Sequence, residues 1–380
     1  MSAFLIQNAR VYRTEYRDFI PGAVVIEDGK IKEILTDPAA VIDGMETVDA
    51  KEQYLVPGLV DAHTHGRIGY DFDSATAEQM KAMRASYAAD GTTTVFPTIA
   101  SAPLSQIETA IDNVKAAGFD GIHLEGRYLN CKRRGAHRED LLFPLDVAEL
   151  SSLLDRMEPL NVHISCAAEL EGGEAFVKTA IARGATVSIG HTDATYEQAL
   201  DAMSWGVNAF THTFNAMRPI HHREPGPVVA GLTTENAYCE VIADGFHLNP
   251  AIVKLAYMAK KPAHLTLITD SMSATKCEDG EYSIAGEKVY VVNGKAINEE
   301  GNISGSTICL YQAVRNLMTF AGVSFAEALP YATIVPASML KIEKSVGSIA
   351  AGKDADLLLV CPETYDITAV WQKGEAVAHV

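Results

Sequence analysis

The feature that most constrains the fold is a rhythm between residues 54 and 270, where eight short apolar runs are each followed by a loop and usually by a helical stretch. The runs are YLVPGLV (54–60), TTTVFPT (92–98), GIHLEG (121–126), NVHISCAAE (161–169), TVSIGH (186–191), AFTHTFN (209–215), YCEVIADG (238–245) and HLTLITD (264–270). Helices are expected near 75–89, 103–117, 146–156, 173–183, 195–204 and 250–260. Most of the runs are too apolar for a half-exposed sheet. Buried parallel strands joined by helical crossovers read this way. Eight of them predict an α/β fold, a (β/α)8 TIM-like barrel over residues 54–343.

The flanks have a different character. Residues 1–53 read as short strands, with Asp28-Gly29 as a hairpin signal, and 344–380 return to β character with a turn at Lys373-Gly374. The economical expectation is one small β-sandwich domain built from both chain ends, 1–53 and 344–380. Between the eighth run and that return lie a hairpin, EYSIAGEKVYVVNGKAI (281–297), a helix near 306–321, and shorter helical segments at 324–332 and 336–341.

Charge narrows the partners. With 31 Lys+Arg against 49 Asp+Glu the formal net charge is −18, which argues against nucleic acid and against an anionic membrane surface. An anionic small-molecule substrate would need a local basic site. Six cysteines are scattered without a CxxC pair, a pattern that fits reduced thiols and a cytoplasmic protein. The first residues carry only a three-residue apolar run, and no segment approaches a membrane span.

Chemistry enters at the C-terminal ends of the runs, where a barrel gathers its active-site residues. His63 and His65 follow the first run, spaced so that both leave the strand on one side, with Asp61 two residues behind. Glu125 stands next to the end of the third run, His191 ends the fifth, His212 lies in the sixth, and Asp270 ends the eighth. Singly, each reads as hydrogen-bonded structure or a helix cap. Together, imidazoles and a carboxylate at matching strand ends suit Zn, Fe or a similar divalent ion, and no thiolate is placed to compete. Glu125 could bridge two ions, with His63 and His65 on one and His191 and His212 on the other. Asp270 is left as the general acid/base, able to take a proton from the attacking water and return it to a leaving group.

These residues sit in HLEG (123–126), GHTDAT (190–195), THTFNAM (211–217), REPG (223–226), ADGFH (243–247), ITD (268–270) and SGS (304–306), and GSIAAGKDADLLLV (347–360) closes the series. In that order the chain resembles the amidohydrolase superfamily, and within it the N-acetylglucosamine-6-phosphate deacetylase family, over nearly its whole length. The resemblance implies removal of the acetyl group from N-acetylglucosamine 6-phosphate in amino-sugar catabolism. It implies metal ligation by Glu125, His191 and His212, and acid/base work by Asp270. Substrate contacts are implied at Ala136, His137, Asn215, Ala216, His247 and Ile303–Gly305 (Ile303, Ser304, Gly305), with His137 polarising the acetamide carbonyl. Arg223 matches a phosphate-binding arginine supplied across a homodimer interface. Relatives differ in holding one or two ions per subunit, and this chain keeps both histidines of the HxH pair.

Two positions depart from the family pattern: Arg127 where proline is usual, and Ser271 where alanine is frequent. They bear on loop path and fine specificity. Two other readings stay open on sequence: a dihydroorotase-like or dipeptidase-like amide hydrolase, and a non-catalytic sugar-phosphate-binding relative. Against the first, Glu125 stands where a carbamylated lysine would be needed. Against the second, no ligand or base is missing.

Overall fold

The computed structural model describes residues 3–284 and 287–378. The tip of the predicted hairpin, Ala285-Gly286, and the outermost two residues at each end of the predicted small domain lie outside the described residues. Eight parallel strands form the barrel: β1 (Leu59–Thr64), β2 (Thr92–Ile99), β3 (Gly121–Glu125), β4 (Asn161–Cys166), β5 (Thr186–Ile189), β6 (Ala209–Phe210), β7 (Tyr238–Ile242) and β8 (Leu265–Ile268). They pair in sequence order from β1 to β8. Beyond β8 the chain returns to β1, where Asp270 N–H donates to His63 O (2.9 Å) and His65 N–H to Ser271 O (2.7 Å). Asp61, fully buried, accepts the Thr269 hydroxyl at 2.6 Å and so ties the same seam.

Outside the strands lie α1 (Ala77–Ala89), α2 (Leu104–Ala116), α3 (Val147–Met157), α4 (Gly173–Ala182), α5 (Tyr196–Ser204), α6 (Gly226–Thr233), α7 (Pro250–Lys260) and α8 (Leu310–Ala321). Helices α1 and α5 start on reciprocal caps, Thr76 with Gln79 and Thr195 with Gln198, each satisfying two backbone donors that the helix leaves open. Helix α8 begins four residues later than its sequence pattern suggests. Helix α6 has no counterpart among the expected helices. Its sequence, GPVVAGLT, is apolar up to its last residue and holds two glycines, so it shows no helical period. Gly231 is needed there because a Cβ would come within 2.9 Å of the Phe210 ring.

The core forms separate apolar clusters around the barrel. Ile99, Ile111, Leu124, Leu150, Phe176 and Val187 pack between strands and helices on one side. Leu59, Val241, Leu265 and Leu317 join Tyr12, Val56 and Leu358 on the other, so barrel and terminal sheet share one apolar cluster.

The terminal sheet draws on both chain ends. Its strands are Ala3–Arg13, Asp18–Glu27, Lys30–Leu35, Glu46–Asp49, Tyr54–Pro57, Leu357–Val360, Ile367–Gln372 and Glu375–Ala378. Alternation sorts its residues: Leu55, Leu357 and Leu359 face a cluster with Phe4, Ile26 and Trp371, whereas Val56, Leu358 and Val360 face the barrel. The Asp28-Gly29 turn is present, with φ of 53° and 75°, and so is Lys373-Gly374, with φ of 48° and 76°. The two turns touch, a Cβ on Gly29 falling 2.7 Å from Lys373 O.

The run 54–60, read from sequence as one strand, is two. Tyr54–Pro57 pairs with Leu357–Val360 in the terminal sheet, and β1 begins only at Leu59. The chain crosses over at Gly58, where a Cβ would lie 2.1 Å from the Thr93 hydroxyl oxygen. The 281–297 region forms three strands, Gly280–Ile284, Glu287–Val292 and Lys295–Asn298. Among the described residues no single helix is long and apolar enough to cross a membrane.

Candidate active site

The strand-end residues meet. Glu125, at the last position of β3, divides its carboxylate between two sets of imidazoles. Its Oε1 lies 3.1 Å from His191 Nε2 and 3.0 Å from His212 Nε2, and those two nitrogens are 3.1 Å apart. Its Oε2 lies 3.1 Å from His65 Nε2 and 3.3 Å from His63 Nε2. Asp270 Oδ1 completes the second set, 3.2 Å from His65 Nε2 and 3.6 Å from His63 Nε2. All six side chains are almost fully enclosed.

Two donor groups result, His63–His65–Asp270 and Glu125–His191–His212, the donor atoms in each lying within 4.8 Å of one another. Asp270, read from sequence as left over for proton transfer, therefore also stands among the donors beside the HxH pair. Backbone conformation aims three of these side chains: His191, His212 and Asp270 adopt φ of 45°, 29° and 49°, left-handed values that non-glycine residues tolerate mainly where surrounding structure holds them. The His191 ring is set from behind, its Nδ1 facing Arg133 O at 2.9 Å, so that a neutral ring facing an ion would present the lone pair at Nε2.

Electrostatics fit a cation at the centre. Burial favours neutral Glu125, but the charge of His63 and hydrogen bonds from His137, His191 and His212 hold its carboxyl well below the usual range. Burial likewise works against ionised Asp270, and His63 and His65 again override it, so that carboxyl too stays low. Burial disfavours charged His65, yet Asp270 and Glu125 raise its pKa to about 10. Without an ion, protons on the imidazoles balance the carboxylates. A divalent ion would displace those protons, take the imidazole lone pairs and supply the same balancing charge.

Above the donors opens a cavity of about 500 Å³. Every expected substrate contact but one lines it: Ala136, His137, Asn215, Ala216, His247, Ile303, Ser304 and Gly305. His137 Nδ1 lies 3.0 Å from the Ser101 hydroxyl, and its Nε2 points inward, 3.6 Å from Glu125 Oε2. His247 is held by Asp244 at 2.7 Å. The exception is Arg223, which is exposed and sits in a separate 100 Å³ pocket with Thr195, Tyr196, Arg218 and Glu224. Sequence reasoning also missed Lys132 and Arg134, which reach the cavity wall. Three consecutive basic residues, 132–134, in so acidic a chain were the available signal.

Neither departure enters the cavity. Arg127 is buried against Glu149 and the Phe143 ring, with Nη1 donating to Ala102 O at 3.1 Å. Ser271 is buried in the seam, its hydroxyl 2.7 Å from that of Thr64.

Comparison with known proteins places the chain among deacetylases of one family. Residues 54–379 match the amidohydrolase family. An N-acetylglucosamine-6-phosphate deacetylase of Vibrio furnissii is 32% identical over 364 residues, covering 90% of this chain and 91% of that one. An N-acetylgalactosamine-6-phosphate deacetylase of Escherichia coli O157:H7 is also 32% identical, over 358 residues and 92% and 93% of the two chains. The crystal structure of N-acetyl-D-glucosamine-6-phosphate deacetylase from Mycobacterium smegmatis superposes with a TM-score of 0.90 at 33% identity, covering 99% of this chain and all of the other.

Proposed function

The chain belongs to the amidohydrolase family, and from that premise we infer that it hydrolyses the acetamide of N-acetyl-D-glucosamine 6-phosphate to D-glucosamine 6-phosphate and acetate. The carrying observation is the Glu125 carboxylate shared between two histidine pairs beneath a cavity lined by the expected sugar contacts. The family depends on divalent metal ions, and both donor groups suit one. Zinc or iron, one or two ions per subunit, fits imidazole–carboxylate donors. When bound, such an ion acts as a Lewis acid on the carbonyl and eases deprotonation of water.

The chain's own residues do the rest. Asp270, ionised and beside His65, takes the proton of the attacking water. The C–N bond then breaks as Asp270 returns that proton to the sugar nitrogen. His137, oriented by Ser101, presents Nε2 to the acetamide oxygen. Asn215, Ala216, His247 and the Ile303–Gly305 wall orient the sugar and limit bulk water. Lys132 and Arg134 offset the chain's negative field near the phosphate. Arg223 is exposed and lies outside its own subunit's cavity, so we assign it to a neighbouring subunit's phosphate site in a homodimer. The six cysteines are all free thiols, which supports a cytoplasmic setting.

Acetate release from metal-replete protein tests the reading, using N-acetylglucosamine 6-phosphate, its galactosamine epimer and unphosphorylated N-acetylglucosamine. The first should give the highest kcat/KM. The galactosamine epimer is the second reading, because its E. coli relative is as similar as the Vibrio protein. No acetate from either phosphorylated sugar would refute both.

A further inference from the structure

One buried carboxylate has no part in the chemistry above. Glu240, in β7, is fully enclosed and does not line the cavity. Its Oε2 accepts from His212 N–H at 3.3 Å and lies 3.6 Å from His63 Nδ1. Its Oε1 lies 3.5 Å from His163 Nε2. His63 Nδ1, His163 Nε2 and Glu240 Oε1 are all buried without a hydrogen-bond partner, so three orphan polar atoms converge beneath the donor groups. Among the described residues Glu240 is the one carboxylate outside those groups that pairs with a donor imidazole.

A neutral imidazole has one protonated nitrogen and one lone-pair nitrogen, and a ligand histidine needs the lone pair on the side of the ion. For His191 the Arg133 carbonyl makes that choice. For His63 no backbone oxygen is placed behind the ring. We propose that Glu240 is a positioning residue that holds His63 in the Nδ1–H form, so that Nε2 faces the ion shared with His65 and Asp270. The proposal rests on the reading of that donor group as a metal site. It also accounts for a carboxylate buried in the barrel with a single backbone donor: a His63 Nδ1–H provides a second after a small pivot of the ring.

Zinc titration of metal-free protein against a competing chelator tests this. The proteins are wild type, Glu240→Gln and Glu240→Leu, each also carrying His63→Ala. Glu240→Leu should weaken the ion held by His63 and His65 by about 10- to 100-fold, the usual worth of such an outer partner. Glu240→Gln keeps an acceptor but no charge and should fall between. With His63 already Ala, Glu240→Leu should cause no further loss. Wild-type zinc affinity in both single variants would overturn the proposal, as would an equal loss in the His63→Ala background. Should Glu240→Leu not fold, the histidine nitrogen resonances of zinc-loaded wild type decide. A proton on His63 Nδ1 supports the assignment and a proton on Nε2 overturns it. No sugar is present in these measurements, so failure of the substrate reading is seen separately.

Discussion

Arg127 lays its guanidinium along the Glu149 carboxylate, Nε to Oε1 at 2.9 Å and Nη2 to Oε2 at 3.0 Å. The pair joins the end of β3 to the first turn of α3. Tyr128 adds its hydroxyl to the same Glu149 oxygen at 2.8 Å. Arg127 N–H also donates to the Ser101 hydroxyl, the group that faces His137. The residue that departs from the family pattern is thus a brace for the substrate loop.

Arg127→Ala should destabilise the fold by about 2–3 kcal/mol, because it leaves a mostly buried carboxylate without its two-point partner. It should also raise KM modestly, because the backbone N–H to Ser101 remains but the guanidinium no longer holds Ala102 O, the next residue along from Ser101. Denaturant unfolding and steady-state kinetics check this, and an unchanged midpoint would show the pair to be incidental.

Asp270→Asn should lower kcat by about 10²–10⁴-fold, the range for a positioned acid/base. Asp270 also stands beside His63 and His65, so the variant should weaken their ion while the Glu125–His191–His212 ion remains. Near-normal turnover in a metal-replete sample would remove Asp270 from the proton-transfer role.

His63→Ala combined with His65→Ala should remove one ion and leave the other. Metal analysis after equilibration with excess zinc reads the outcome directly. A wild type with one equivalent, or a double variant with two, excludes the two-ion arrangement.

Arg223→Ala should lower kcat/KM for the phosphorylated sugar by about 10- to 150-fold, the equivalent of about 1.5–3 kcal/mol for a charge-assisted contact. Activity on unphosphorylated N-acetylglucosamine should hardly change. Mixing Arg223→Ala subunits with Asp270→Asn subunits should restore part of the activity, because one site of each mixed dimer regains both residues. No recovery after verified subunit exchange would rule out a cross-subunit role.

What the sequence determined by itself was whatever depends on neighbours in the chain. Side chains alternate along a strand, so His63 and His65 had to leave β1 together. Parallel barrel strands deliver their C-terminal ends to one face, so Glu125, His191, His212 and Asp270 had to join them. The caps at Thr76 and Thr195 and the turns at Asp28-Gly29 and Lys373-Gly374 are equally local. Only the tertiary structure decided matters that turn on contacts between distant segments. It split the 54–60 run at Gly58, because Leu357–Val360 offers Tyr54–Pro57 a partner that no local period announces. It turned Arg127 toward Glu149, kept Arg223 out of the cavity, and set Glu240 behind His63. Each is a pairing across the fold, and hydrogen bonds and packing of that kind exist only after the barrel has closed.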